Sequence, residues 1–448
     1  MESAKNQTNP TRPPKGITRR RFLSGSLAAG TFSILSSDAI GLSGKPGAND
    51  KLNIAAIGVG GQGARDLAMM ETENIVALCD VDWDRAAPTF EKYPNARKYK
   101  DFRKMFDKQQ DIDAILVATC DHTHAVASMQ AIKRGLGVYC EKPLAHNIWE
   151  VRQLTKAARK HKVPTQMGTQ VHATVGLKTL VEMIRNDAIG KVRQVHLWSN
   201  RPMSNPQGKD RPSGQPPIPE TLDWDLWLGP APYRPYHPDY VPASWRAFCD
   251  FGGGRLGDMG CHIFDPAVWA LNLKAPRTVE AYSTRFNNET WPLSTVVKYE
   301  FPDSGDQLPL EIYWYNGGIY PWKPAELPPE RQLPVQGGLY IGDKGKILAA
   351  HQGGPRLLPE EKMAHYKHQP FLPRGKDHYR QWIDACKGND TCSSNFDYAG
   401  PLTEMVLLGN VALQAGRKLT WDRENMTIKN APEADQFLTR EYRAGWSL

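Results

Sequence analysis

One stretch of the sequence, residues 51–80, constrains the fold of this chain more than any other. An apolar run of strand length, residues 52–57, leads into the pattern G-x-G-x-x-G, which is filled by Gly58, Gly60 and Gly63. A helix, a second strand and an acidic residue are predicted to follow in that order. In such a unit the first glycine permits a tight turn, the second lets a diphosphate approach the backbone, and the third lets the helix pack close to the strand. The context therefore favours a dinucleotide-binding turn over an ordinary flexible loop.

The start of that helix and the acid after the second strand indicate which dinucleotide would be bound. Gly61 and Gln62 complete the turn, and the N–H groups at the helix start would face the diphosphate at the positive end of the helix dipole. Asp80 stands just past the predicted strand 75–78, where a carboxylate can accept hydrogen bonds from both ribose hydroxyls and would repel a 2′-phosphate. We therefore predict NAD as the cofactor, in preference to NADP.

Composition indicates a globular protein and argues against nucleic acid as a partner. The chain has 448 residues, of which 40% are hydrophobic and 23% charged, and this length suggests two domains with extensions. Its net charge is +8, but residues 1–50 hold seven basic and three acidic residues and so contribute half of it. The body carries no long basic run interleaved with aromatic residues, which a polyanion-binding surface would need. The seven cysteines are odd in number and include no C-x-x-C pair, so we expect buried thiols and not a disulfide framework.

The first 50 residues predict an export signal and a linker. The stretch TRRRFL, residues 18–23, is followed by a mildly apolar run to about Leu35, which is shorter than the roughly 20 residues that span a bilayer. Ala39 and Gly41 form a small-x-small site where a signal peptidase could cut. A twin-arginine signal is read by a receptor and is not an anchor; the alternative is a disordered basic tail. The prediction is a periplasmic protein that meets the twin-arginine translocase folded, and therefore loads its cofactor before export and retains it.

Predicted strands and helices alternate from residue 51 to about residue 170. They are a helix at 101–106, a strand at 114–118, a helix at 124–134, a strand at 137–140, a helix after residue 147 and a strand at 163–168. Asn147 is expected to cap its helix, with Glu150 completing a capping box. Strands that alternate with helices at this spacing predict a doubly wound, parallel Rossmann sheet.

The pattern changes at residue 192, and residues 171–448 are predicted to form a second α/β domain for substrate binding and oligomerisation. Alternating or aromatic-rich runs predict the strands of an open, largely antiparallel sheet at 192–200, 278–286, 294–301 and 309–316. Two closing helices are predicted at 377–386 and 401–417. The fold class is therefore α/β, with a Rossmann domain followed by an α+β domain.

A long segment, residues 201–254, interrupts the second sheet. It contains eleven prolines, so little of it can be regular, and a loop of this length in a compact domain is usually functional. Eight of the thirteen tryptophans lie between Trp198 and Trp322. Several of them on one open face would form a platform for a sugar ring, although burial in the core is the stronger expectation for any single one.

The tripeptide Glu141-Lys142-Pro143 follows a predicted strand, at the edge of the sheet where ligands of open α/β sheets bind. Both Glu141 and Lys142 are candidates for cofactor contact. The Lys142 ammonium could also stabilise a developing alkoxide or ketone oxygen. A lysine–proline pair is, however, common in solvated turns.

A second group with catalytic potential is Asp258 and His262, four residues apart in GDMGCH. On a helix the two would share one face, so the carboxylate could orient the imidazole, and His262 could act as the general base. One alternative is a helix cap by Asp258 beside a structural histidine. Another is a metal pair, which lacks an obvious third ligand in the sequence.

A third group is Asp121-His122-Thr123-His124, which follows the strand at 114–118 and also falls on the cofactor edge. His124 could flank the nicotinamide, or it could merely start a helix. The sequence leaves both interpretations open.

Together these motifs resemble the glucose–fructose oxidoreductase / inositol dehydrogenase / MocA (Gfo/Idh/MocA) family, closely over residues 52–265 and loosely beyond. The resemblance implies a Rossmann domain followed by an α/β domain whose open sheet often pairs subunits. It also implies that Lys142, Asp258 and His262 act on a sugar or polyol hydroxyl, and that His124 matches a conserved histidine. Exported members with a twin-arginine leader are similar to this chain, and some retain their cofactor through turnover.

The sequence thus predicts an NAD-dependent oxidoreductase acting on a sugar, glycoside or polyol secondary alcohol. One branch of the family consists of NAD-dependent glycosidases that oxidise transiently and eliminate the aglycone; it often departs from the lysine–proline pattern, which this chain keeps. A third possibility is a nucleotide-holding binding protein without turnover. The presence of both Lys142 and His262 argues against that possibility.

Overall fold

The strand before the glycine turn lies in the middle of a parallel sheet. The computed structural model describes residues 50–201, 208–303 and 309–448. Within them, the strands of this sheet are β1 (Asn53–Ile57), β2 (Asn74–Cys79), β3 (Arg97–Tyr99), β4 (Ala114–Val117), β5 (Gly137–Cys140) and β6 (Thr165–Met167). Their order is β3-β2-β1-β4-β5-β6, and every neighbouring pair is parallel. This is the predicted doubly wound sheet.

Helices connect these strands and cover both faces of the sheet. They are α1 (Gln62–Ala68), α2 (Trp83–Lys92), α3 (Phe102–Lys108), α4 (Asp121–Lys133) and α5 (Ile148–His161). Successive residues of β1 alternate between two hydrophobic clusters: Ile54 belongs to one and Ala55 to the other. A strand that is buried on both faces in this way is typical of a parallel sheet between two helical layers.

The structure corrects several predicted boundaries. Strand β3 and helix α2 were not predicted, because β3 is short and polar and α2 contains Pro88. Helix α4 begins at Asp121, three residues earlier than predicted. Its first turn consists of buried polar residues, which the apolar spacing used to predict the helix does not include. Asn147 caps α5 as predicted, its Oδ1 accepting the N–H of Glu150 at 2.9 Å. The Glu150 carboxylate, however, accepts the N–H of His146 at 3.1 Å instead of closing the capping box on Asn147.

The second sheet, within the described residues, is nine-stranded and mostly antiparallel. Its strands are β7 (Val192–Ser199), β8 (Thr278–Ser283), β9 (Thr295–Phe301), β10 (Leu310–Asn316), β11 (Gln336–Gly342), β12 (Lys346–Ala350), β13 (Pro355–Leu358), β14 (Leu419–Asp422) and β15 (Thr427–Ile428). Their order is β13-β12-β11-β7-β10-β9-β8-β14-β15, and β7 and β10 form the parallel pair. The four strands predicted from the sequence are β7 to β10.

One face of this sheet is covered by helices. The remaining helices are α6 (Val175–Arg185), α7 (Trp224–Leu228), α8 (Gly254–Leu271), α9 (Glu361–His365), α10 (His378–Cys386) and α11 (Phe396–Ala415). Helices α8 and α11 pack on each other, and alternate residues of β10, such as Ile312 and Trp314, are fully buried in the same cluster. The intervening residues, such as Tyr313, are only partly buried and lie on the opposite face.

Residues far along the chain complete the core of the first sheet. Trp382 and Ile383 of α10 pack in the same cluster as Ile54 and Leu116. The domain boundary near residue 170 therefore stays a prediction, since later residues contribute to the first core. The predicted export signal lies outside the described residues. Among the described helices, none combines the length and apolarity needed to cross a membrane.

The proline-rich segment forms a small aromatic core of its own. Trp224 and Trp227 stack at 4.6 Å between ring centroids, and Tyr240, Phe248 and Phe251 pack around them. Most of the tryptophans expected to be either platform or core are core residues, as the buried positions of Trp198, Trp224, Trp227, Trp245, Trp291 and Trp314 show.

Candidate active site

The glycine turn between β1 and α1 has the geometry that its sequence predicts. Gly58 has φ +79°, and a Cβ there would lie 2.6 Å from the carbonyl oxygen of Ala118. A Cβ at Gly63 would lie 1.8 Å from the carbonyl oxygen of Gly58, so only glycine lets α1 approach the turn. The residues present therefore fit a backbone cradle for a diphosphate at the start of a helix.

The Asp80 carboxylate holds the backbone of this turn by hydrogen bonds. Its Oδ2 accepts the N–H groups of Val59 at 2.8 Å and Gly60 at 3.2 Å, and its Oδ1 accepts that of Asp82 at 3.0 Å. Burial raises the pKa of Asp80, and these three N–H groups oppose that rise. The sequence predicted contacts to ribose, whereas here the carboxylate holds the backbone of the turn; the ribose contact stays a prediction.

Arg85 is a site residue that the sequence reasoning missed. A Cβ at Gly60 would lie 2.7 Å from Arg85 Cγ, and one at Gly61 would lie 2.6 Å from Arg85 Nη2, so this side chain lies directly over the turn. It lies in the first turn of helix α2, whose cap Asp82 accepts the Arg85 N–H at 3.2 Å. The cleft that contains Gly60, Gln62, Asp80 and Arg85 is continued by Trp245 and Arg246 of the proline-rich segment. A cation in this position adds charge complementarity for a diphosphate.

Lys142 and Asp258 form an ion pair next to the end of β5. Lys142 Nζ donates to Asp258 Oδ1 at 3.0 Å and to its backbone carbonyl at 2.6 Å. The Lys142 and Asp258 side chains are 11% and 16% exposed, so the pair is largely shielded and still reachable. Burial alone would lower the pKa of Lys142, but Asp258 and Glu141 outweigh burial and raise it. Lys142 is therefore a charged ammonium at neutral pH.

Asp258 is surrounded by cations from its own helix and from the preceding segment. Arg246 Nε donates to its Oδ1 at 3.1 Å, and Arg255 Nη1 donates to its Oδ2 at 3.2 Å. Burial would raise the pKa of Asp258, but Lys142, Arg246 and Arg255 hold it below its usual range. The carboxylate is thus ionised and fully occupied by cations.

His262 lies one helical turn beyond Asp258, but the predicted hydrogen bond between them is not formed. The carboxylate is bound to cations, and His262 Nδ1 has no hydrogen-bond partner within the described part of the chain. Burial, with Lys142 and His351 adding to it, lowers the pKa of His262 well below its ordinary value. The imidazole is therefore neutral at neutral pH and able to accept a proton.

His351, just after β12, is a second residue that the sequence did not indicate. Its ring centroid is 5.3 Å from that of His262, and both rings line one small cavity with Gly338 and Tyr340. Burial lowers the pKa of His351 to about 4, and Lys142 adds to this effect. A histidine after an ordinary strand carries no sequence signal, because only the pairing of β11 and β12 brings it to α8.

His124 lies inside the first turn of α4 and connects two backbone segments. Its Nδ1 is 2.8 Å from the Pro143 carbonyl oxygen, and its Nε2 is 3.1 Å from that of Thr119. Burial lowers its pKa to about 4, so the ring is neutral. These contacts connect the first turn of α4 to the turn at Lys142-Pro143, and a position of His124 beside the nicotinamide stays a prediction.

Glu141 reaches into a buried polar group beneath the turn, and its Oε2 accepts the backbone N–H of Lys142 at 3.3 Å. Gln170 Nε2 donates to Glu141 Oε1 at 2.6 Å, while Asp66 accepts the Tyr379 hydroxyl at 2.7 Å. Burial raises the pKa of both carboxyl groups; the charge of Asp66 raises the pKa of Glu141 further, whereas a hydrogen bond with Glu141 opposes the rise in the pKa of Asp66. The alternative of a metal pair gains no support, since no group of three potential metal ligands occurs in the described ranges.

Two family models match the chain. One, described as an oxidoreductase family with an NAD-binding Rossmann fold, matches residues 52–169. The other, described as the C-terminal alpha/beta domain of an oxidoreductase family, matches residues 204–308. The matched segments contain the glycine turn and Lys142 in the first case, and Asp258 and His262 in the second.

The similar curated proteins include inositol dehydrogenases. Myo-inositol 2-dehydrogenase of Thermotoga maritima is 30% identical over 166 residues, which are 36% of this chain and 49% of that protein. Inositol 2-dehydrogenase of Salmonella paratyphi B is 28% identical over 150 residues, 33% of this chain and 44% of that protein. The chain thus aligns with somewhat less than half the length of these two relatives.

Solved structures share the fold over most of the chain. The WlbA dehydrogenase from Chromobacterium violaceum, in complex with NADH and UDP-GlcNAcA, has a TM-score of 0.59 at 16% identity and covers 84% of this chain and 97% of its own. The aldose-aldose oxidoreductase from Caulobacter crescentus, complexed with glycerol, has a TM-score of 0.55 at 17% identity and covers 83% and 100%. At such identities the likeness establishes the fold alone.

Proposed function

We propose that this protein is an NAD-dependent oxidoreductase acting on a secondary alcohol of a sugar, glycoside or polyol, because residues 52–169 and 204–308 match two models of the Gfo/Idh/MocA oxidoreductase family. The observation that carries the proposal is Lys142, which is charged, partly accessible and bound to Asp258. It lies at the same edge of the parallel sheet as the glycine turn. The inositol dehydrogenases among the relatives support a polyhydroxylated substrate.

The glycine turn, Gln62 and Arg85 are the residues that would hold the cofactor. The N–H groups at the start of α1 and the Arg85 guanidinium suit a diphosphate. Asp80 keeps the turn in shape and places negative charge where a 2′-phosphate would be disfavoured, which supports NAD over NADP. When bound, the nicotinamide supplies the chemistry of hydride transfer with one substrate carbon.

Lys142 would bind the substrate oxygen that gains or loses its proton. An ammonium has three N–H donors, and two of them are directed to Asp258. The third remains for the substrate oxygen, whose negative charge increases as the O–H bond weakens. Asp258 therefore positions Lys142 and keeps it protonated, in place of the predicted role of orienting His262.

His262 would receive the hydroxyl proton. Its ring is neutral because burial lowers its pKa, and a neutral imidazole keeps one unprotonated nitrogen that can accept the proton; its Nδ1 has no hydrogen-bond partner within the described residues. His351 lines the same small cavity and would contact the substrate or a water beside His262. Both histidines lie within range of the Lys142 charge.

The test begins with native mass spectrometry of the protein as purified, which should detect a bound pyridine dinucleotide if the cofactor is retained. A panel of sugars and polyols is then followed by the absorbance of reduced nicotinamide. Lys142→Met should lower turnover by about 10²-fold or more, because the ammonium that stabilises the substrate oxygen is lost. Its affinity for NADH, measured by fluorescence titration, should stay close to that of the wild type.

Other results would redirect the assignment. Release of phenol from an aryl glycoside without net NADH would identify the redox glycosidase of the same family. If a dinucleotide is bound but no sugar or polyol of the panel changes the absorbance of reduced nicotinamide, the protein would be a binding protein without turnover. Failure to bind any pyridine nucleotide would contradict the proposed function as a whole.

We also propose export and self-association. The twin arginines at residues 19–21 and the apolar run behind them support a twin-arginine route to the periplasm, which a fusion of the first 50 residues to a reporter would test. Within the described ranges no helix covers the second face of this sheet, and Tyr282 on that face is 59% exposed, which supports a homo-oligomer.

A further inference from the structure

A second cavity lies apart from the cofactor cleft. It encloses about 300 Å³, compared with about 130 Å³ for the cleft, and the two have no lining residue in common. A cavity volume of roughly 10–15 Å³, measured in this way, is enough for one water molecule, so this cavity has room for a small organic molecule. Its walls come from the start of α5, the end of α11, residues 249–250 and the C-terminal segment 436–441.

Two buried side-chain amides in this wall have one unmet hydrogen-bonding group each. Asn147 uses its Oδ1 to cap α5, and its Nδ2 has no partner in the residues described. Asn410 donates from Nδ2 to the Gly253 carbonyl at 2.9 Å, and its Oδ1 is without a partner in the same sense. Only 6% of Asn147 and 5% of Asn410 is exposed, so bulk water does not readily satisfy them. Buried polar groups in folded proteins are seldom left in this state.

The charges in the cavity wall are mostly neutralised by the protein itself. Asp250 is paired with Arg234, and Arg440 is paired with Glu150 at 3.1 Å. Glu441 is exposed and lies at the rim. A charged ligand would therefore gain no unpaired counter-ion inside, while a neutral ligand avoids the cost of desolvating a charge.

An aromatic surface completes the wall. Trp291 lines the cavity, and its indole N–H is already bonded to the Gly252 carbonyl at 2.6 Å. The ring is stacked on Phe286 at 5.6 Å and is therefore held rigidly. Aromatic rings beside a few fixed amides are the usual environment of a sugar ring, which has apolar C–H faces and hydroxyl edges.

We propose that this cavity is a second binding site for a neutral polyhydroxylated molecule, a sugar or a polyol, separate from the catalytic site. A hydroxyl group both donates and accepts, so the hydroxyls of such a molecule suit both an amide N–H donor, as in Asn147, and an amide oxygen acceptor, as in Asn410. The proposal does not depend on the proposed reaction, because it concerns binding alone.

The experiment uses the protein as purified with its dinucleotide, and myo-inositol as the probe. Crystals soaked in myo-inositol should contain the ring in this cavity, with hydroxyls in hydrogen-bond distance of Asn147 and Asn410. In solution, calorimetry of Gln414→Trp, which fills the cavity from the end of α11, should show at least tenfold weaker binding at this site, and Gln436→Trp should do the same from the opposite wall. Gln215→Trp, at an exposed position outside the cavity, is the matched control and should bind as the wild type does.

Turnover on the panel should be unchanged in Gln414→Trp, since Gln414 contacts none of the catalytic groups. Ordered water alone in the soaked crystals would overturn the proposal. Density seen only at crystal concentration, with no binding in solution, would overturn it as well. Equal binding by the wild type, Gln414→Trp and Gln436→Trp would place the polyol elsewhere.

Discussion

At the scale of single residues, the side chains predicted for the site lie in one region, but their hydrogen-bond partners differ from those predicted. Lys142, Asp258 and His262 were chosen from spacing and from a family resemblance, and they do lie in one region, but Asp258 is bonded to Lys142 and not to His262. The physical reason is that a shielded carboxylate is stabilised far more by cations than by a neutral imidazole. Arg246 and Arg255, which complete this set, cannot be picked out from a sequence with 56 lysines and arginines.

We expect His262→Ala to lower turnover by about 10²-fold or more, because the group that accepts the hydroxyl proton is removed. Binding of NADH should be unaffected, since His262 does not line the cofactor cleft. Steady-state kinetics with the best substrate of the panel and a fluorescence titration measure the two effects. His365→Ala, at an exposed position, serves as the control, and full activity of His262→Ala would remove this residue from the mechanism.

At the scale of elements, three predicted helix starts have a capping side chain, whereas the starts capped by Asp82 and Asn395 were not predicted. Asp101, Asn147 and Asp377 each accept first-turn N–H groups, at the positions where helices were expected to begin. Such local hydrogen bonds are written into a few adjacent residues. By contrast, the loop after α9 is ordered by Glu182 of α6, a contact between residues distant in the sequence.

Glu182 provides a pH-dependent test of this contact. It is fully buried and accepts the N–H groups of Phe371 at 2.8 Å and Leu372 at 2.7 Å, together with the Arg374 guanidinium. Burial would raise its pKa, but these donors lower it from 4.5 to about 2. Because the folded-state pKa is lower than the unfolded-state value, the carboxylate stabilises the fold above pH 4.5, and this contribution is lost as the pH falls toward 2.

We therefore expect Glu182→Gln to lower the free energy of unfolding by about 3 kcal/mol at neutral pH, because the Arg374 charge loses its partner. The difference between variant and wild type should shrink as the pH falls below 4.5. Urea unfolding at a series of pH values measures it. Glu361→Gln, at an exposed position in α9, should leave stability within about 0.5 kcal/mol of the wild type. A difference that does not vary with pH would show that the charge of Glu182 is not the cause.

At the scale of the whole molecule, the two sheets differ in how their faces are covered. The parallel sheet is buried on both faces. Helices α8 and α11 cover one face of the second sheet, and Leu327 and Leu333 cover only part of its other face, over Trp198 and Leu339. On its other face His196 and Tyr313 stack at 5.2 Å, and Lys298 bridges Glu300 and Glu311. A broad surface of aromatic and paired polar groups of this kind suits association with a second copy of the chain.

We expect the wild type to be an oligomer by light scattering coupled to size-exclusion chromatography. The double substitution Tyr282→Arg and Tyr313→Arg should shift it toward the monomer, because two unpaired cations would be buried in each interface. Tyr233→Arg is the matched control, since Tyr233 is 71% exposed and lies outside this face. A wild type that is monomeric at all concentrations would contradict the proposed self-association.

Most of the parallel sheet, its glycine turn, the strands β7 to β10 and three candidate catalytic residues are predictable from the amino-acid sequence alone. These features depend on local requirements, such as a backbone that only glycine can adopt at Gly58 or the lack of room for a Cβ at Gly63. Only the folded chain brings Asp258 to Lys142, places Arg85 over the turn, and brings His351 next to His262. Each of these contacts joins segments that are far apart along the chain, and charge pairing and burial select such contacts only after the sheets have formed.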